Sequence, residues 1–136
     1  MSIETGLRAK RVFVVGEKDL AISLGGSAHV LASPILINFI ELACVAATDH
    51  FLASGETTVG LETHFFHLAP TPPGWAVSIE VELVKVAGGR LTYTATATDP
   101  AGEIGKAEHV RCIVNADAFE ARKNKRIGKA GSAIPL

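Results

Sequence analysis

Apolar residues change their spacing along this chain, and each change marks an element. Residues 10 to 15, KRVFVV, are β-branched and aromatic enough for a short first strand. A polar, glycine-containing connector, GEKDLAISLGGSAHVLA, follows. Ser33-Pro34 then reads as a helix start, with serine as N-cap and proline at the first helical position. From Ile35 to Ala53 the residues favour helix, and Gly55 closes it. Apolar side chains occupy most of its circumference, which predicts a buried helix. Its polar positions Asn38, Glu41 and Thr48 fall on one narrow stripe.

Beyond the helix the period drops to two. Residues 57 to 68, TTVGLETHFFHL, put Val59, Leu61, Phe65 and His67 on one face. Residues 76 to 86, AVSIEVELVKV, turn Val77, Ile79, Val81 and Leu83 inward. After a turn at Gly88-Gly89, RLTYTATATD sets Leu91, Tyr93, Ala95 and Ala97 against four threonines. DPAGE is another turn, and the last strand runs from about Ile104 to Val114. Three long strands with short turns predict an antiparallel meander, with the 57 to 68 run as a further segment of sheet. A helix apolar on nearly all sides asks for cover on nearly all sides. That predicts an α+β fold of the hot-dog kind, a curved antiparallel sheet wrapped around one long buried helix.

Length and charge narrow this picture. The 136 residues suit one domain, 1–136, with residues 119–136 expected to form a basic, frayed tail. ARKNKRIGKAGSAIPL holds five of the thirteen Lys and Arg residues. A hydrophobic fraction of 48% is high for this size and fits a subunit that buries surface in an oligomer. A net charge of −1 gives no pull toward nucleic acid or a membrane surface. Cys44 and Cys112 lie inside apolar runs and read as buried thiols. The start, MSIETGLRAKRVF, has no long apolar segment, and no apolar run approaches the roughly 18 residues of a membrane span, so a cytoplasmic protein is expected.

The chemistry centres on Glu41, because an ionised carboxylate costs several kcal/mol to bury without a partner. Either its stripe is the one exposed edge of the helix, or something specific accounts for it. Strict alternation turns His67 inward toward the same helix, and a histidine beside a carboxylate suits general acid/base work. Ser33 caps the helix, but a hydroxyl there also sits where free backbone N–H groups collect around an oxyanion. Ser33 and Glu41 are eight residues apart, about 12 Å along a regular helix. If both act, substrate spans them, the first turn is distorted, or one comes from another subunit. His64 has the opposite parity to His67, so HFFH is no metal pair, and no other cluster has metal-ligand spacing. His29 and His50 are expected at the surface. His109 and Arg111 share a parity on the last strand, where Arg111 can meet a carboxylate or a phosphate. Walker and GxSxG motifs are absent.

VLASPILINFIELA, GETTVG, HLAPTPPG and HVRCIV together carry a resemblance. From about Val30 to Phe119 the chain resembles the fluoroacetyl-CoA thioesterase-like family of hot-dog proteins. The resemblance implies an acyl-CoA thioesterase that works as a homodimer or higher assembly, without nucleic acid, membrane, metal or redox cofactor. CoA enters only as part of the substrate. The family's catalytic hydroxyl, helix glutamate and strand histidine fall on Ser33, Glu41 and His67, and its site glycine and arginine on Gly60 and Arg111. Glu41 would act as general base, or as nucleophile through an anhydride. His67 would orient water or shuttle the proton, and Ser33 would position the thioester. Serine stands where the family's characterised enzyme has threonine. The phenylalanines that lid the fluoroacetyl pocket have no counterpart in SLGGSAHVLA, so fluoroacetyl selectivity is not expected to carry over. The alternatives are a hot-dog hydratase or dehydratase acting on an acyl-CoA, and an acyl-CoA binding protein without turnover.

Overall fold

A computed structural model describes residues 2–131. Five strands, β1 (Arg8–Val14), β2 (Glu56–His67), β3 (Ala76–Ala87), β4 (Arg90–Asp99) and β5 (Gly102–Asn115), form one sheet in the order β1-β3-β4-β5-β2. Every pairing is antiparallel. β3, β4 and β5 are the expected meander, and β2 joins the sheet beside β5. The alternation in β3 and β4 holds: Val77, Ile79, Val81, Leu83, Leu91, Tyr93, Ala95 and Ala97 are all buried. Helix α1 (Ser33–Thr48) packs on this face and is followed by a 3-10 turn at Asp49–Phe51, so the helical segment ends before the expected Ala53, with Leu52 already extended.

The sheet does not wrap the helix, contrary to the sequence expectation. It is an open hot-dog sheet with β1 and β2 as free edges. The reason is geometric, since enclosing a central helix takes about eleven strands, and this chain has five. α1 therefore buries one stripe, Leu36, Phe39, Ile40, Ala43, Cys44, Ala47 and Thr48, at helical spacing. Leu42 is exposed, and Ile35, Ile37 and Val45 are half-buried. Phe13 of β1 stacks on Phe39 with ring centroids 4.2 Å apart, fixing the helix over that edge.

Two segments bear on further expectations. Ser33–Phe51 taken together, 19 residues of mean hydropathy 1.3, passes the length and composition test for a membrane span. Its packed stripe shows it to be the core helix of the sheet. The basic segment is ordered through α2 (Ala116–Ala130), a helix capped by the Asn115 side chain accepting from the Ala118 N–H at 2.9 Å. From Asp117 onward its residues are exposed, and residues 132–136 lie outside the described part.

Candidate active site

Two clusters of polar side chains line the helix–sheet boundary, one at the start of α1 and one at its middle. Ser33 is the first residue of α1 and not its cap, because Ala32 holds the cap position with extended dihedrals and no side chain caps the helix. The hydroxyl is engaged elsewhere: Ser33 Oγ and His67 Nδ1 are hydrogen-bonded at 2.6 Å. His67 reaches it from the end of β2, opposite Gly105 of β5. A side chain at Gly105 would stand 3.0 Å from the Phe66 carbonyl oxygen and 3.2 Å from Leu36 Cδ2, so glycine lets the helix sit down on the sheet here. Burial holds the His67 ring below the ordinary value of 6.5, and among the described residues its Nε2 has no partner. A cavity of about 330 Å³ opens at this end, lined in part by Val30, Ala32, Ser33, His67 and Ala69.

Glu41 sits two turns further on, at the border between the buried and exposed sides of α1. Its side chain is 38% exposed, and Oε2 accepts a hydrogen bond from Arg111 Nη1 at 3.2 Å. His109 Nε2 is 3.8 Å from the same oxygen. Arg111 is itself buried and clamped, donating from Nε to Thr58 Oγ1 at 2.9 Å and from Nη2 to the Thr58 carbonyl at 3.0 Å. His109 is fully enclosed, with Nδ1 2.7 Å from Thr63 Oγ1 and 3.1 Å from the Glu62 carbonyl oxygen. Burial, and then the Arg111 charge, hold this ring below 6.5, while Glu41 offsets part of that. Behind the pair, Tyr93 OH and Thr48 Oγ1 share a hydrogen bond of 2.7 Å, and burial pushes the Cys44 thiol up to about 12. Thr48 is buried, so the stripe Asn38–Glu41–Thr48 is not one exposed edge.

The face of β2 departs from strict alternation. A bulge shifts the register between Gly60 and Glu62. Thr58 and Gly60 face α1 before it, and Thr63, Phe65 and His67 face α1 after it, while Leu61 is 50% exposed. His67 and Phe65 are therefore inward as expected, whereas Val59 and Leu61 are not. Gly60 matters by size: a Cβ there would stand 3.0 Å from Glu41 Oε2.

Of the five candidate residues, Ser33 and His67 meet each other, and Glu41, Arg111 and Gly60 meet each other. The expected contact of His67 with Glu41 is not made within the chain, where His67 instead holds Ser33. Sequence reasoning missed His109, Thr58 and Thr63 as members of the site. His-x-Arg on one strand face was the available signal for the first; the two threonines become visible only once the bulge is known. Among the described residues no group of three or more His, Cys, Asp or Glu side chains could hold a metal ion.

The model of the fluoroacetyl-CoA-specific thioesterase family matches residues 15–117. The chain belongs to that family. Within the fluoroacetyl-CoA thioesterase family, the curated enzyme of Streptantibioticus cattleyicolor is 34% identical over 98 residues, which cover 72% of this chain and 70% of that protein. The solved structure of the fluoroacetyl-CoA thioesterase FlK superposes with a TM-score of 0.88 at 30% identity, covering 92% of this chain and 98% of that one. A threonine-to-serine variant of FlK in complex with acetyl-CoA gives a TM-score of 0.87 at 31% identity, over 92% and 99% of the two chains.

Proposed function

We propose that this protein hydrolyses an acyl-CoA thioester to free acid and CoA, with Glu41 as general base. Glu41 itself carries the reading. It is a half-exposed carboxylate on an apolar helix, held by a buried arginine and facing a glycine where any side chain would crowd it. Hydrolysis needs a water attacked at its proton by a base while its oxygen bonds to the thioester carbon. The C–S bond then breaks and CoA leaves as the thiolate. The charge that develops on the carbonyl oxygen needs donors, and the start of α1, with its helix dipole and the Ser33 hydroxyl, supplies them. His67 holds that hydroxyl in place and is the nearest group for a proton.

Ser33 and Glu41 lie about 12 Å apart on a straight helix, so one chain does not close a site around a single thioester. A homodimer resolves this. β2 is a twelve-residue edge strand with Leu61, Phe66 and Leu68 exposed along or just beyond it. Antiparallel pairing of β2 with its copy, centred near Thr63, would set His67 opposite the partner's Val59, one residue from the partner's Gly60. The Ser33–His67 end of one subunit would then complete the Glu41–Arg111 end of the other. The two cysteines are free thiols, which fits a cytoplasmic location.

A thiol-release assay across a panel of acyl-CoAs, run beside a hydration assay on an enoyl-CoA, tests the activity. Thiol release on at least one member, without hydration, is expected. Hydration alone would make the protein a lyase, and tight binding without either reaction would make it a carrier.

A further inference from the structure

His109 has no task in the reaction as derived, yet it is 1% exposed and every polar atom of its ring is engaged. Its neighbours decide where its proton sits. Arginine offers only N–H donors, and Arg111 Nη1 lies 3.2 Å from His109 Nε2, so that nitrogen must present its lone pair. At the other end, Nδ1 lies 3.1 Å from the Glu62 carbonyl oxygen, which can only accept, and 2.7 Å from Thr63 Oγ1, which can accept. One neutral tautomer, with the hydrogen on Nδ1, satisfies both ends at once. The opposite tautomer would aim N–H at N–H and lone pair at lone pair. The β2 bulge contributes, because the register beyond it sets Thr63 directly opposite His109.

We propose that His109 is a positioning residue, locked as the Nδ1–H tautomer so that its Nε2 lone pair holds the Arg111 guanidinium against the Glu41 carboxylate. The proposal rests on Glu41 being the reacting carboxylate. Arg111 is thereby fixed on three sides: Thr58 takes Nε and Nη2, while His109 and Glu41 share Nη1. Removing one side leaves the guanidinium free to swing, and the carboxylate with it. The charged and titratable groups around the ring are Glu41 and, one turn on, Cys44 from α1, Tyr93 from β4, and Arg111 from β5. From β2 come only a hydroxyl and a carbonyl, the Glu62 carboxylate being turned out toward His64 at 3.6 Å. Enclosed as it is, His109 cannot touch substrate, so its effect passes through Arg111.

Two variants and one spectrum test this. His109→Phe keeps a ring but removes the acceptor, and it should lower kcat about 100-fold, the order expected of an ångström-scale misplacement, with KM changed only a few-fold. His109→Gln places an amide oxygen where Nε2 was and should recover at least about ten-fold of that loss. Nitrogen-15 spectra of the wild-type imidazoles, with His109 assigned from the signal lost in His109→Gln, should show a neutral Nδ1–H ring at pH 7. An Nε2–H or doubly protonated ring overturns the proposal, as does full turnover in His109→Phe, or a folded His109→Gln no better than His109→Phe. The spectrum needs no turnover, so it separates failure of this proposal from failure of the thioesterase reading, which shows as a wild type without thiol release.

Discussion

Glu41 owes its position to small clearances. The facing Gly60 leaves no slack: an added methyl group at 3.0 Å from Oε2 must displace the carboxylate or its arginine. The backbone at Gly60 is not left-handed, so alanine costs little in strain there. Gly60→Ala should therefore keep the melting free energy within about 1 kcal/mol of wild type while lowering kcat about 10- to 100-fold. Unaltered turnover would mean that the carboxylate tolerates displacement. Acid should act on the same site through its histidines. Burial holds both His67 and His109 below the ordinary 6.5. The unfolded chain then takes up those protons at higher pH than the folded one. The stability they support is fully present above pH 6.5 and is lost as pH falls from there through the folded values, with a slope of at most about 1.4 kcal/mol per pH unit for each ring. Melts between pH 7.5 and 5 should show this fall, and His109→Gln should flatten it; a wild-type melting temperature independent of pH across that range would contradict it.

The helix and the strands differ in how much of them could be read in advance. α1 was legible because Ser33-Pro34 marks its start and the residues after it favour helix, and β3 and β4 because their inward residues alternate without a break. Closure was not legible. A helix apolar on most sides suggests a wrapping sheet, but Leu42 and the half-buried Ile35 and Val45 show that some of that apolar surface meets no sheet. Gly60 marked the place where alternation in β2 could break, but the apolar pattern hid which half was affected: Val59 and Leu61 share the spacing of Phe65 yet lie on the outer face, and the expected parity holds only after the bulge. For this reason Thr58 and Thr63 could not be tied to the site, whereas Arg111 and Gly60 were tied to it by resemblance and His109 shared a strand face with Arg111. Where α1 meets β5, the fit depends on Gly105. Gly105→Val should lift the first turn of the helix off the strand, costing about 1–3 kcal/mol by overpacking and loosening the Ser33–His67 contact. A valine variant as stable and as active as wild type would show that the helix has room to shift.

On the proposed reading each chain carries two halves of a site, Ser33–His67 and Glu41–Arg111, and a dimer is its simplest completion. Sedimentation at micromolar concentration should show a dimer and not a monomer. Ser33→Ala and Glu41→Gln should each be impaired alone, yet refolding them together should restore about a quarter of wild-type activity. In a shared site, half the pairs formed are mixed, and each mixed pair keeps one site free of both changes. No recovery in verified mixed dimers would place Ser33 and Glu41 of one site on the same chain. Beneath all of this lies the assignment of Glu41, and one comparison tests it most directly: kcat for wild type and Glu41→Gln on the best acyl-CoA of the panel, with a thermal melt as control. The amide keeps the volume and can still accept from Arg111, but it cannot take a proton from water at neutral pH. Turnover should fall about 10²- to 10⁴-fold in a variant that melts like the parent. A well-folded Glu41→Gln that turns over thioester at the wild-type rate would contradict the account.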